Sequence, residues 1–257
     1  MFAFSLPDNI ADLSSLIGNI PVEDIPFFEI QGELADSQDI LRVISQKNFT
    51  IINSYGYVDS NLLANVAEQK TRLRDEVFDK LHGLITNPLA PEHITLDFGL
   101  TYKNIEDDLN LLKIKHLHNL YRSIYNENKK ICLPVRLPGN AESIQSILSV
   151  LRQLMLNRFK ICLNIFPHEL KNEQLILNLI SGLKYNIGVI RLVYEPATGN
   201  YITEKFIRFC LEALKKQSLS CPIIFAPAFS DLTVLDREIS NICDLRRAVE
   251  DIACSTL

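Results

Sequence analysis

Charged side chains stand inside otherwise apolar stretches of this sequence, where buried β-strands are expected. Arg136 lies near the end of "ICLPVRL" (131–137), and Arg191 lies within "IGVIRLVYE" (187–195). A guanidinium stays protonated in proteins, and burying it without a partner is very costly. Each arginine therefore needs solvent or an anionic partner, and at the mouth of a pocket that partner can be a substrate.

Carboxylates and neutral polar groups recur at comparable places. Glu29 lies in "FFEIQG" (27–32), Asp97 in "HITLDFGL" (93–100), and Glu195 ends the run that holds Arg191. Carboxylates in such positions are candidates for general acid–base work. The neutral candidates, which we expect to bind ligand beside the two arginines, are Gln31, Asn53, Tyr55 and Asn164.

The elements that would position these residues follow a regular pattern. Short apolar β-rich runs alternate with segments whose apolar residues recur every three or four positions, which is typical of amphipathic helices. The predicted strands are 1–6, 27–32, 49–56, 93–100, 131–137, 159–166, 187–195 and 222–229. A helix is predicted after each strand, at 10–19 after the first and at 236–253 after the last. Strands separated by helices pair in parallel, so eight such units predict an α/β fold, a single-domain (β/α)8 TIM barrel over 1–257. An open doubly wound sheet is the alternative, although neither GxGxxG nor GxxxxGK[ST] occurs.

Alternation along a strand decides which residues face the barrel interior. In 131–137 the apolar set belongs against helices, which turns Arg136 inward. The same argument turns Asn53 and Tyr55 inward, with Ser54 as an alternative. Two interpretations of the resulting polar ring remain open. Either it consists of paired structural charges, or it lines a pocket in which Arg136 and Arg191 clamp a carboxylate or phosphate.

Composition narrows the class of protein. The net charge is −5 with no basic stripe, so we expect no nucleic-acid partner. No signal peptide and no membrane-length apolar run is present, and a cytoplasmic protein without a membrane partner is expected. The six cysteines form no CxxC pair and are expected to be reduced core residues.

Several segments, in their order and spacing, resemble the xylose isomerase-like TIM barrels. They are "INSYGYVDSN", the long "EQKTRLRDEVFDKLHGLI", "ITLDFG" and "ICLNIFPHEL". The resemblance covers nearly the whole chain. That group includes sugar and sugar-phosphate isomerases and epimerases and the endonuclease IV type of repair enzyme.

The resemblance implies a divalent metal held by Glu, Asp and His at strand ends. Here the fifth strand carries Arg136 where a glutamate is typical, and the eighth, "PIIFAPAF", offers no acid. His168 differs from the other histidines because it follows a strand end, where catalytic residues of barrels gather. The remaining candidate ligands for Mn, Zn or Mg are Glu29, Asp97, His168 and Glu195, which are also the candidate catalytic residues.

Two functions follow. The first is isomerase or epimerase chemistry on a sugar, sugar acid or sugar phosphate, with a carboxylate base and with Arg136 and Arg191 holding the anion. The second is a non-catalytic barrel that has lost the metal site and binds a ligand or a partner protein. The two longest predicted helices, 62–85 and 105–127, suggest a homodimer.

Overall fold

The computed structural model describes residues 1–6, 17, 26–31, 38–57, 91–100, 102, 111, 113–115, 117–118, 129–137, 144–153, 159–167, 173–228, 237, 240–241, 243–244 and 247. Eight strands lie in these ranges, close to their predicted bounds. They are β1 (Phe2–Leu6), β2 (Phe27–Gln31), β3 (Thr50–Tyr57), β4 (His93–Asp97), β5 (Lys130–Leu137), β6 (Phe159–Ile165), β7 (Ile187–Tyr194) and β8 (Ile223–Pro227).

The strands form a closed barrel in sequence order. Each strand is parallel to the next, and β8 pairs with β1 to close the cylinder. The predicted (β/α)8 barrel is confirmed, and the open doubly wound alternative is wrong.

The fourth strand ends three residues before its predicted end. Gly99 adopts a left-handed conformation with φ of 58°, and its backbone N–H donates to Asp97 Oδ1 at 2.8 Å. A side chain that accepts from the backbone two residues on forms a local turn, and glycine takes positive φ without steric cost. The chain therefore leaves the sheet directly after Asp97.

Four helices are described as continuous ranges outside the barrel. They are α1 (Gln38–Gln46), α2 (Ile144–Gln153), α3 (Glu173–Leu183) and α4 (Glu204–Lys216). Thr203 caps α4, since its hydroxyl accepts from the Phe206 backbone N–H at 3.3 Å. No helix within the described residues is long and apolar enough to cross a membrane.

Other predicted helices fall largely on residues that the structure does not describe. The helix predicted at 62–85 lies wholly outside the described residues, and the one at 10–19 does so except for Ile17. Those at 105–127 and 236–253 are described at scattered positions, all of which are helical.

Apolar residues fill two regions that the barrel wall separates. The larger region lies between strands and helices and includes Phe4, Phe28 and Leu133. A smaller cluster fills the interior of the barrel and consists of Ala3, Ile52, Cys132, Cys162, Val189 and Ile224. Small and branched side chains suit the narrow interior of an eight-stranded barrel.

Two strands carry one residue more than their neighbours. In β3 the pairing passes from Phe28 with Ile51 to Glu29 with Asn53, which leaves Ile52 as the extra residue. In β7 the extra residue is Gly188. A Cβ at Gly188 would lie 2.9 Å from Cys132 Sγ and 2.9 Å from Lys160 Cβ, so this bulge accepts only glycine without displacement.

Candidate ligand-binding site at the mouth of the barrel

A layer of polar side chains follows the interior apolar cluster along the strands. Asn164 lies two residues after Cys162 on β6, and Arg191 lies two residues after Val189 on β7. Side chains two apart share a face of a strand, so this layer points into the same interior but nearer the carboxyl ends. Active sites of this fold lie at that end.

Glu29 is the centre of this layer, and both of its carboxylate oxygens accept hydrogen bonds. Oε1 accepts from Ser5 Oγ at 2.6 Å and from Arg191 Nε at 2.9 Å, while Oε2 accepts from Asn53 Nδ2 at 2.5 Å. A second guanidinium nitrogen, NH2 of Arg191, lies 2.8 Å from Oε1. The Glu29 side chain is 0% exposed and that of Arg191 is 8% exposed. A buried ion pair of this kind is tolerated because its charges and hydrogen-bonding groups are matched.

Arg191 connects Glu29 to the pocket. Its NH1 donates to Asn164 Oδ1 at 3.1 Å, and its Cζ lies 4.0 Å from the centre of the Tyr55 ring. Burial acts to lower the pKa of Arg191, but the neighbouring Glu29 carboxylate and other groups outweigh it and raise the pKa above its usual value. The guanidinium is thus a permanent cation that stacks on an aromatic face.

Tyr55 and Asp97 form the next contact outward. The Tyr55 hydroxyl donates to Asp97 Oδ2 at 3.3 Å, and the other carboxylate oxygen accepts from the Gly99 backbone. Burial raises the pKa of the Tyr55 phenol well above its usual range, and the opposing effect of Arg191 does not cancel it. Tyr55 therefore stays protonated and donates. Asp97 is only partly buried, so its oriented carboxylate can accept a proton from a bound ligand.

These residues border a pocket of about 450 Å³ at the carboxyl ends of the strands. It is lined by Tyr55, Asp97, Gly99, Leu100, Pro134, Arg136, Asn164, Phe166, Arg191 and Val193. Arg136 is exposed on this wall, and its Cζ lies 4.2 Å from the centre of the Phe166 ring. The volume is in the range of pockets that hold small ligands.

The pairing of β4 with β5 is short and ends before the residues of these strands that line the pocket. The two strands pair only from His93 with Lys130 to Thr95 with Cys132. Pro134 follows on β5, and it has no N–H to donate to a ladder. The Pro134 carbonyl oxygen accepts a hydrogen bond from the hydroxyl of the buried Tyr102 at 3.3 Å.

Two of the remaining predicted site residues, Gln31 and Glu195, lie away from the pocket wall. Gln31 donates to Ser5 Oγ at 2.6 Å within the polar layer. Alternation along β7 predicted that Glu195 faces the interior of the barrel. In the structure β7 ends at Tyr194, and after Glu195 the chain enters the short 3₁₀ helix Pro196–Thr198. There Glu195 Oε2 accepts from the Thr198 hydroxyl at 3.3 Å, and Glu195 does not line the pocket. His168 lies outside the described residues.

Two residues of the site were not predicted. Ser5 contacts Glu29, and the alternation of Ala3 and Ser5 with the aromatic residues of β1 was a sufficient signal for it. Phe166 supports Arg136 from the position after β6, where a phenylalanine carries no signal of such a role.

The described residues do not fit a divalent metal. No group of three or more His, Cys, Asp or Glu side chains in the described ranges is placed to hold one. The oxygens of Glu29 are taken by Arg191, Ser5 and Asn53. Two guanidinium groups share the pocket wall and would repel a cation.

The fold and the site together define a (β/α)8 barrel with a charged pocket at the carboxyl ends of its strands. No protein-family model matches the sequence, and a search of curated proteins finds no match. Solved structures match along nearly the full chain and share the (β/α)8 barrel that the sequence predicted; among them are proteins described as xylose isomerase-like TIM barrels.

The matched structures are at low sequence identity. D-psicose 3-epimerase from Clostridium cellulolyticum H10, solved with D-tagatose, has a TM-score of 0.70 and 14% identity over 96% of this chain and 98% of its own. The 3-keto-D-glucoside 4-epimerase from E. coli has a TM-score of 0.67 and 10% identity over 95% and 98%. A xylose isomerase-like TIM barrel protein from Mycobacterium smegmatis, in complex with magnesium, has a TM-score of 0.57 and 10% identity over 91% and 87%.

Proposed function

We propose that this barrel acts on an anionic carbohydrate at its carboxyl-end mouth by proton transfer of the isomerase or epimerase type. The observation that carries the proposal is the pocket itself, which brings the Asp97 carboxylate together with the guanidinium groups of Arg136 and Arg191. The sugar epimerases among the matched structures support a carbohydrate substrate and the epimerase type of reaction.

Asp97 is the base in this proposal. It is the carboxylate of the polar layer that lines the pocket, and the Gly99 N–H and the Tyr55 hydroxyl fix its orientation. Tyr55 remains protonated and keeps its hydrogen bond to the carboxylate. Arg136, exposed on the neighbouring strand β5, attracts the negative group of the ligand.

Glu29 has a positioning role instead of a catalytic one. It is fully buried and each oxygen already accepts a hydrogen bond, so a substrate proton has no path to it in this arrangement. Its function is to hold Arg191 against Tyr55.

The test is hydrogen exchange in heavy water. Wild-type protein is incubated with hexose and ketose phosphates and with hexuronates, and proton NMR follows loss of the signal next to the carbonyl. Asp97→Asn should lower the exchange rate by about 100-fold or more, since a positioned base contributes that much. Asp244→Asn, an exposed change on a surface helix, is the control and should leave the rate unchanged. Equal rates for Asp97→Asn and wild type would refute the assignment of the base.

A non-catalytic binding barrel is the second candidate. It is favoured by the buried Glu29–Arg191 pair, which takes up a carboxylate of the interior, and by the lack of a metal-holding group among the residues described. Saturable binding of an acidic sugar with no exchange on any substrate of the panel would select it.

A further inference from the structure

Three side chains on adjacent strands form one lateral row across the pocket wall. Arg136 on β5 pairs in register with Asn164 on β6, and Asn164 pairs in register with Arg191 on β7. We call these three residues the donor row. Neighbouring strands lie about 4.8 Å apart, so the row spans about 10 Å.

The orientation of the Asn164 amide follows from its neighbour. A guanidinium has only donors, so the atom that faces Arg191 NH1 at 3.1 Å must be the amide oxygen. The same oxygen lies 4.0 Å from the Cys162 thiol. Both contacts fix Oδ1 inward and leave the two N–H groups of Nδ2 directed elsewhere. Within the described ranges no protein acceptor takes them, and Asn164 lines the pocket.

Arg191 also has donors left over. Of the five N–H groups of a guanidinium, two donate hydrogen bonds, one from Nε to Glu29 Oε1 and one from NH1 to Asn164. NH2 also lies 2.8 Å from Glu29 Oε1 within the ion pair. The second hydrogens of NH1 and NH2 meet no acceptor in the part of the chain that the structure describes. The residue is 7% exposed and lines the pocket, and buried donors are stable only with a partner.

We propose that the donor row is an oxyanion-binding site, which takes the carboxylate or phosphate group of the ligand without a divalent metal. Two guanidinium groups flank an amide, and the polar groups that these three side chains present to the pocket are hydrogen-bond donors. Such a row matches the oxygens of an anion and repels a cation. The proposal rests on the proposed function only in placing the ligand in this pocket.

Asn164→Asp is the variant that separates a structural role from a binding role. The aspartate keeps an oxygen for Arg191, so the fold and its melting temperature should be retained. It removes both Nδ2 donors and adds a negative charge beside the ligand. The matched control is Asn178→Asp on α3, an exposed asparagine whose oxygen likewise accepts from a neighbouring side chain, Gln174.

The probes are D-glucuronate, D-glucose 6-phosphate and neutral D-glucose, titrated by calorimetry with and without EDTA. We expect at least one of the two anions to bind, EDTA to have no effect, and glucose to bind more weakly. Asn164→Asp should weaken anion binding by about 30-fold or more, consistent with losing a charge-assisted site and gaining repulsion. Asn178→Asp should bind as wild type does. The anion that binds identifies the group that the row accepts.

Three results would overturn the proposal. The first is that neither anion binds at about 10 mM, which is well above a millimolar dissociation constant. The second is binding that EDTA abolishes, and the third is equal anion binding by Asn164→Asp and wild type. Loss of the proposed catalytic function looks different, because an anion would still bind while hydrogen exchange in heavy water stays absent.

Discussion

Replacing Glu29 with glutamine should destabilise the barrel far more than a surface charge change does. The substitution keeps the size of the side chain but removes the charge that neutralises the buried Arg191. It also turns one acceptor into a donor. If the new NH2 group replaces Oε2, it faces the donor Asn53 Nδ2. If it replaces Oε1, it faces the donors of Arg191 and Ser5.

The size of the effect follows from the burial of the pair. Breaking a buried ion pair by removing one partner costs about 3–5 kcal/mol, because the other charge stays buried without compensation. A domain of ordinary stability, with about 5–15 kcal/mol, would remain folded in water. Glu29→Gln should therefore lower the free energy of unfolding by about 3–5 kcal/mol.

Urea unfolding, followed by circular dichroism, measures this in a double-mutant cycle with Arg191→Met. The double variant should be less destabilised than the sum of the single variants by roughly 2 kcal/mol or more, since neither charge is then left alone. The control is Glu204→Gln on α4, which breaks an exposed pair with Arg208 and should cost about 0.5 kcal/mol or less. A Glu29→Gln cost below about 1 kcal/mol, or additivity in the cycle, would show that Arg191 does not depend on Glu29.

Three further outcomes are expected. Gly188→Ala should cost about 1–3 kcal/mol in urea unfolding because its methyl group overlaps neighbouring atoms, whereas Gly56→Ala, with its nearest contact at 3.6 Å, should cost clearly less; equal costs would contradict the bulge geometry. Burial raises the pKa of the Cys162 thiol to about 12, so the thiol loses its proton in the unfolded chain at a lower pH than in the folded protein. The free energy of unfolding should therefore fall by about 1 kcal/mol between about pH 8 and about pH 10 because of this thiol. Cys162→Ala should remove that share of the slope. Tyr55→Phe keeps the ring that packs on Arg191 but loses the hydroxyl that orients Asp97. The hydrogen-exchange rate should drop at least about 10-fold, and the free energy of unfolding should change by about 1 kcal/mol. An unchanged rate would refute the role of the hydroxyl.

The barrel could be predicted from the sequence because its two periodicities are strong. Apolar β-rich runs alternate eight times with helical stripes, and the strand bounds follow from them. The inward direction of Arg136 also followed, since the apolar residues of β5 occupy alternate positions and pack outside, as Leu133 and Val135 do. Both predictions rest on local sequence patterns, because the alternation of apolar residues along a strand specifies which side chains face the core.

The features that were not predicted depend on contacts between distant parts of the chain. Alternation assumes an unbroken register, so it gives no sign of the extra residues Ile52 and Gly188. It extends Glu195 along a strand that has already ended. Nor does it indicate that Glu29 pairs with Arg191, because the partner of a buried charge is chosen by the closed barrel and not by its sequence neighbours.

The link between Glu29 and Arg191 has a consequence for how the chain reaches its native state. Its two ends are 162 residues apart in sequence, so their contact closes a long loop of the chain. A fragment with only the early strands would leave the Glu29 carboxylate in an apolar interior without a counterion, and a fragment with only the late strands would leave the Arg191 guanidinium there. Assembly is thus made cooperative between the halves, since each half supplies the counterion that the other lacks.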